Sequence, residues 1–196
     1  MAKRTNVCFD AHEHRVEIFR CGEKEIRVDH LRVGDSYQGY LKFVNTDDRL
    51  MVSGDYGTWT FCRPFVPSEE GSVSEHYWLE KLTMHSVQDA SVFDSDVLDK
   101  QLNDIIGDLS NLYGEDVYED ALEWYTGLLE YTDDETEYLY MAHRDLYRPD
   151  FIDYDDIPNG KVINPWLEVV FDAFDEICRR CRESGDTNKN KNKKED

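Results

Sequence analysis

The sequence lacks long hydrophobic runs and holds few basic residues. No stretch approaches the roughly 18 consecutive apolar residues that a membrane-spanning helix needs, and residues 1–10 contain no apolar segment like that of a signal peptide. The 22 Lys/Arg are outnumbered by 43 Asp/Glu, and the formal net charge of -21 repels the phosphates of nucleic acids. These absences predict a cytoplasmic protein that binds neither membranes nor nucleic acids directly.

Catalytic motifs and a disulfide framework are also missing. The five cysteines are scattered and odd in number, which fits reduced thiols in a reducing compartment. No Walker loop, G-x-S-x-G elbow, H-E-x-x-H motif or dinucleotide-binding fingerprint occurs. The sequence supports no enzyme class, and we therefore expect a protein without catalytic residues, cofactor or structural disulfide.

Alternating apolar residues predict a sheet in the first third of the chain. The alternation marks strands at 15–19, 26–31, 37–44, 50–53 and 58–63, separated by turns rich in glycine, aspartate and asparagine. Pro64 and Pro67 follow, and we expect the sheet to end there because proline cannot donate to a central ladder. Residues 1–66 are thus predicted to form an antiparallel sheet of four to five strands.

A helical period replaces this alternation from Ser74 onward. Ser74 and Ser95 are candidate caps of two helices, later apolar stripes predict two more, and Asn164 followed by Pro165 predicts the start of the last. Residues 67–185 are therefore predicted to form an acidic bundle of about five helices, in one compact α+β unit with the sheet. The Asn/Lys-rich segment 186–196 is predicted to be a disordered tail.

Acidic residues concentrate in the helical half. Residues 1–66 hold 10 Lys/Arg and 10 Asp/Glu, whereas residues 94–156 hold 20 acids and three bases, an asymmetry that points to an interaction surface. Acids spaced by three and four on the third predicted helix share a face, where like charges repel by roughly 0.2–0.5 kcal/mol per pair. Helix stability does not favour this arrangement, so we expect the acids to contact a basic partner. The predicted contact residues are Asp116, Glu119, Asp120 and Glu123 on the helix and Asp133, Asp134, Glu135, Asp153, Asp155 and Asp156 in loops.

The string at residues 54–63, Gly-Asp-Tyr-Gly-Thr-Trp-Thr-Phe-Cys-Arg, is the most distinctive in the chain. Its two glycines predict a turn between strands, after which Trp59 and Phe61 face the same side. One interpretation is an aromatic core strand. The other is a contact platform made by Tyr56, Trp59 and Arg63, because aromatic residues and arginine are enriched at binding hot spots.

Several short patterns resemble parts of metal sites. His12 and His14 would share one side of a strand, as two metal ligands do, and two Asp-x-Asp pairs could hold a hard cation. No third ligand is evident near the histidines, and the Cys-x-x-Cys at 178–181 lacks a second pair. We therefore predict no metal site, and a metal-dependent enzyme using these Asp and His clusters is the alternative function.

The string at 54–63, with residues 37–48 and 78–82, resembles a segment found in small uncharacterised phage and prophage proteins. The whole chain, which is short, acidic and poor in motifs, is similar to phage inhibitors of bacterial defence, among them anti-CRISPR proteins and DNA-mimic antirestriction proteins. This resemblance carries no functional residue across. It implies an inhibitor of a basic nucleic-acid-binding protein, such as a Cas9-type effector with its guide RNA, whose positively charged channel holds nucleic acid. A further alternative is an accessory phage protein whose acidic surface serves solubility alone.

Overall fold

The computed structural model describes residues 4–34, 38–65, 67, 74–85, 89–144 and 148–184. The chain forms two compact units, of which unit 1 comprises residues 1–90 together with 164–196 and unit 2 comprises residues 91–163. Residues 67–185, predicted as one helical region, are therefore shared between the two units. The predicted tail at 186–196 and the expected helix end at Gly185 lie outside the described residues.

Unit 1 contains a six-stranded antiparallel sheet with its strands in chain order. The strands are β1 (Glu13–Cys21), β2 (Lys24–Arg32), β3 (Leu41–Asn45), β4 (Leu50–Gly54), β5 (Gly57–Phe61) and β6 (Leu82–His85). The turn between β4 and β5 requires glycine, because a Cβ atom on Gly54 would lie 2.0 Å from the carbonyl oxygen of Tyr40. An antiparallel sheet in the N-terminal part is thus confirmed, with more strands than predicted.

The sheet does not end at Pro64 and Pro67, and that prediction is wrong. Strand β6 follows helix α1 (Glu75–Lys81) and pairs with β5, with Thr60 opposite Met84. Both prolines lie in the connection between β5 and α1, and the sheet gains its sixth strand after α1. Helix α1 begins as predicted, since the Ser74 hydroxyl accepts a hydrogen bond from the Tyr77 amide at 3.4 Å.

Helix α5 (Pro165–Glu183) supplies the apolar layer that covers this sheet. Its start is confirmed, because the side-chain oxygen of Asn164 accepts from the Trp166 amide at 2.9 Å and Pro165 occupies the first turn. Phe174 of α5 packs against Phe43 of β3 at a ring distance of 6.0 Å and against Trp78 of α1 at 4.9 Å. The core of unit 1 is therefore aromatic and joins residues from both ends of the chain.

The described residues of unit 2 form a two-stranded ribbon, three α-helices and two short 3₁₀ turns. The strands are β7 (Ser91–Phe93) and β8 (Lys161–Ile163), and the helices are α2 (Ser95–Leu112), α3 (Tyr118–Leu128) and α4 (Glu135–Ala142). The stripe predicted on α2 is largely buried, with Leu98, Leu102 and Leu109 inaccessible, although Leu112 is 55% exposed. Leu98, Leu102 and Leu109 pack with Tyr125 of α3, among other residues, in the core of unit 2.

Two helix starts in unit 2 differ from the sequence prediction. Asp94, not Ser95, caps α2, because its carboxylate accepts a hydrogen bond from the Val97 amide at 3.1 Å. Helix α3 begins at Tyr118, so Asp116 lies in the turn before it. The α+β fold class is nonetheless confirmed, and five α-helices occur in the part of the chain that the structure describes.

Candidate partner-binding surface

Unit 2 carries most of the excess negative charge of the chain. It holds 20 Asp/Glu and four Lys/Arg, whereas unit 1 holds 23 and 18. Of the 19 acids of unit 2 that the structure describes, 16 are exposed and three are half-buried. Glu135 forms an ion pair with Lys161 of the same unit. The acids of unit 2 therefore present their charge mainly to solvent.

The acids predicted to contact a partner occupy three places in unit 2. Glu119, Asp120 and Glu123 are exposed on α3, and Asp116 is exposed in the turn before it. The prediction that Asp116 shares the helix face is wrong, because the helical period begins only at Tyr118. The remaining predicted acids lie elsewhere: Asp133, Asp134 and Glu135 at the start of α4, and Asp153, Asp155 and Asp156 around a 3₁₀ turn at Tyr154–Asp156.

Part of this acidity has a local structural role that the sequence interpretation overlooked. The Asp134 carboxylate accepts hydrogen bonds from the Thr136 and Glu137 amides at 2.8 and 3.0 Å, and so caps α4 as Asp94 caps α2. Acids in the first turns of the helices, such as Glu119 and Glu135, interact favourably with the partial positive charge of the helix N-terminus. These positions are explained without a partner.

Other acids have no such local explanation. Glu123 lies beyond the first turn of α3 and follows Glu119 by four residues, a spacing at which like charges repel. Asp104 and Asp108 repeat this spacing in the middle of α2, where Asp108 also accepts a hydrogen bond from the Asn111 side chain, and neither helix has a basic residue in its last turn. Repulsion between these exposed carboxylates does not favour the helices that carry them.

An open groove in unit 2 is lined by some of these acids. Its volume is about 520 Å³, within the usual range for small-ligand sites. Asp120 and Glu123 of α3 and Glu130 just after it supply carboxylates to the lining, and Arg148 is the base among its lining residues. Trp124 and Tyr131, both half-buried, supply aromatic surface. The sequence interpretation found two of these carboxylates but neither aromatic residue, although Trp124 directly follows Glu123 and Tyr131 directly follows Glu130 in the chain.

Of the three residues of the predicted contact platform, Trp59 does not reach the surface, whereas Tyr56 and Arg63 are half-buried. Trp59 is fully buried, and its indole nitrogen donates a hydrogen bond to the Tyr56 carbonyl oxygen at 2.7 Å. Trp59 therefore belongs to the core, as the first interpretation of the string has it, and its prediction as a contact residue is wrong. Arg63 is half-buried and donates a hydrogen bond of 2.5 Å to the hydroxyl of Tyr77. Its guanidinium lies 5.1 Å from the centre of the Tyr77 ring.

The predicted histidine pair is separated in the structure. Strand β1 begins at Glu13, so His12 lies outside it, and the His12 ring contacts the Gly39 carbonyl oxygen at 3.2 Å. His14 instead meets the buried carboxylate of Asp29 at 2.8 Å. Together with Cys181 of α5, these two residues bring three potential ligand atoms within 4.8 Å of one another. The sequence could not indicate this cluster, because its members are separated by long stretches of chain.

Arg27 contacts two of the three residues of this cluster. Its guanidinium donates to both carboxylate oxygens of Asp29 at 2.8 and 2.9 Å and to the Cys181 sulfur at 3.1 Å. Burial would raise the pKa of Asp29, but hydrogen bonds from His14 and Arg27 outweigh it and leave that pKa below its usual value. The cluster is thus a buried ion-pair network within unit 1, and a divalent ion would meet a fixed positive charge there.

The two cysteines of α5, Cys178 and Cys181, are buried thiols that form no disulfide within the described residues, and the exposed Arg179 lies between them. Burial raises the pKa of the Cys178 thiol to about 12, so at neutral pH it stays protonated and is a poor nucleophile. Of the two Asp-x-Asp pairs, the first contributes the cap of α2 and the second lies at the exposed 3₁₀ turn.

Comparison with protein-family models, with curated proteins and with solved structures returned no match for the chain. Within the described residues, no helix has both the length and the apolar character needed to cross a membrane. The surface and its chemistry are therefore the basis for a functional interpretation.

Proposed function

We propose that this protein is a non-enzymatic inhibitor of a bacterial defence nuclease, acting in the cytoplasm of an infected or lysogenic cell. Its target is a basic nucleic-acid-binding protein, and within that class a Cas9-type CRISPR effector with its guide RNA. The observation that carries the proposal is the segregation of charge, since unit 2 holds 20 acids and four bases whereas unit 1 holds 23 acids and 18 bases. The acidic face of unit 2 is the proposed contact surface.

The physical basis is competition for positive charge. A nuclease of this kind holds nucleic acid in a channel lined with Lys and Arg, which neutralise phosphates. Carboxylates three and four residues apart on a helix lie about 5–6 Å from one another and present a row of negative charge to such a channel. Opposite charges also steer the encounter, so association should be fast at low salt and slower at high salt.

The experiment that tests this proposal is affinity capture from bacterial lysate followed by mass spectrometry, repeated at low and high salt. The proposal requires a basic nucleic-acid-binding protein among the captured partners, held less strongly as salt increases. It also requires purified protein to inhibit nucleic-acid cleavage by that partner. Capture of no basic partner, as an acidic surface that serves solubility alone would give, would refute it.

A further inference from the structure

We infer that the groove of unit 2 receives an arginine side chain of the bound partner. This inference rests on the proposed function, because it names the group that the acidic surface recognises. The groove combines three exposed carboxylates, Asp120, Glu123 and Glu130, with two aromatic side chains. Carboxylates beside aromatic surface are the surroundings in which a guanidinium is stabilised, through charge-assisted hydrogen bonds and stacking on a ring.

The charge of the groove excludes the other common occupants. Among the described lining residues, three carboxylates against the guanidinium of Arg148 leave an excess of negative charge, which repels phosphates and carboxylates. Among the described residues, the group whose ligand atoms come together for a metal ion is the His14, Asp29 and Cys181 cluster in unit 1, and the groove carboxylates are not part of it. An organic cation is therefore the class of ligand that fits.

Trp124 favours arginine over lysine as that cation. A planar guanidinium stacks on an aromatic face and forms paired hydrogen bonds with carboxylates, whereas an ammonium acts as a compact point charge. The Trp124 ring packs edge-on against the buried Tyr125, with ring centres 4.8 Å apart and an interplanar angle of 72°. This contact holds the ring in place beside the groove, so little conformational entropy is lost when a guanidinium binds.

Arg148 lines the groove but does not neutralise the negative charge of its carboxylates. Its guanidinium lies over the Tyr154 ring at 4.0 Å from the ring centre and donates a hydrogen bond to the Ile152 carbonyl oxygen. These contacts hold the guanidinium of Arg148. Together the carboxylates of Asp120, Glu123 and Glu130 carry more negative charge than Arg148 carries positive charge, and the volume of about 520 Å³ leaves space for a second guanidinium.

The test titrates the full-length protein with a capped peptide that has one arginine between glycines, and follows the Trp124 indole N–H signal by NMR. Matched peptides replace the arginine with lysine or with citrulline, which keeps the shape of arginine but lacks its charge. We expect the arginine peptide to shift the Trp124 signal at the lowest concentration, the lysine peptide to bind more weakly and the citrulline peptide to cause no shift. Equal binding of the citrulline peptide would overturn the inference.

Two variants of equal charge locate the binding. The groove variant D120N/E123Q/E130Q should weaken arginine-peptide binding by about tenfold or more, because it removes the charged acceptors. The control D104N/D108N/E115Q changes three exposed acids that do not line the groove, and it should leave binding within about twofold of the parent, since distant exposed charges are screened. Circular dichroism checks that both variants are folded. Equal losses in the two variants would mean diffuse attraction and would refute a groove site.

Failure of this inference can be distinguished from failure of the proposed function. If the peptide does not bind in the groove while the captured partner is still held in a salt-dependent manner, the groove inference is wrong and the acidic surface acts without it. If no basic partner is captured, the proposed function is wrong, and the peptide titration still decides whether the groove binds a guanidinium.

Discussion

Glu176 links two arginines of α5, one of which also holds the N-terminal segment. It accepts hydrogen bonds from Arg179 at 2.6 and 2.8 Å and from Arg180 at 2.6 Å. Arg180 in turn donates to the carbonyl oxygens of Phe9 and His12 at 2.7 and 2.5 Å. The hydrogen bonds from Arg179 and then Arg180 hold the pKa of Glu176 at about 2.

This lowered pKa gives a predicted pH dependence. Because the pKa of Glu176 is lower in the folded than in the unfolded chain, its stabilisation is present above about pH 4.5 and is lost as the pH falls toward about 2. We expect E176Q to lower the free energy of unfolding at pH 7 by roughly 1–2 kcal/mol, with allowance for solvent screening. Urea unfolding at pH 7 and pH 3 should show a smaller difference from the parent at pH 3. An equal difference at both values would contradict this account.

Two glycines should respond in opposite ways to substitution by alanine. A Cβ at Gly54 would meet the Tyr40 carbonyl oxygen at 2.0 Å, so G54A should lower the free energy of unfolding by roughly 1–3 kcal/mol. Gly107 lies inside α2 with nothing within 4 Å of an added Cβ, so G107A should raise it by roughly 0.5–1 kcal/mol. Denaturant titration of both variants checks the signs, and stabilisation by G54A would refute the described β4–β5 turn.

At the scale of secondary-structure elements, Asp133 and Asp134 form a matched pair. Only Asp134 accepts the two amide hydrogen bonds that cap α4, while Asp133 is exposed beside it. We expect D134A to cost about 0.5–2 kcal/mol of stability and D133A to change it by less than about 0.5 kcal/mol. Thermal unfolding followed by circular dichroism compares them at equal net charge. Similar losses in both variants would mean that charge, and not capping, is the cause.

Local signals in the sequence predict helix starts well where a side chain can accept a hydrogen bond from a backbone amide of the first turn. Ser74 and the Asn164-Pro165 pair mark helix starts because their side chains or ring geometry suit a first turn. Strand β6 was not predicted, since its four residues follow a helix directly and are too few to show alternation. The start of α3 was placed too early because Asp116 continues the spacing of the helix acids in a turn.

Contacts between distant residues were beyond the reach of local patterns. The sequence indicates that Trp59 and Phe61 face one side, but only their packing shows that this side is the core. The network of His14, Arg27, Asp29 and Cys181 joins β1, β2 and α5, and the groove combines residues of α3 with Arg148. Such groupings depend on tertiary structure, so neither the network nor the approach of Arg148 to the residues of α3 could be predicted from the spacing of residues.

At the scale of the whole molecule, most of the excess negative charge lies in one continuous segment of the chain. Unit 2 is a continuous segment inserted between the two parts of unit 1, and it contains four of the 22 Lys/Arg. Exposed charges contribute little individually, roughly 0–1 kcal/mol per pair, so a single substitution is a weak test of a charged surface. A cluster of substitutions on one unit, compared with an equal cluster on the other, is the sharper design.

The most direct measurement of the central claim is the affinity of the captured basic partner for two quadruple variants at several salt concentrations. D116N/E119Q/D120N/E123Q removes four charges at and before α3, and D10N/E13Q/E23Q/D47N removes four exposed acids of unit 1. The account predicts that the first variant, still folded, binds much more weakly with a smaller salt dependence, while the second binds like the parent. Parent-like binding and nuclease inhibition by a folded unit 2 variant would contradict it.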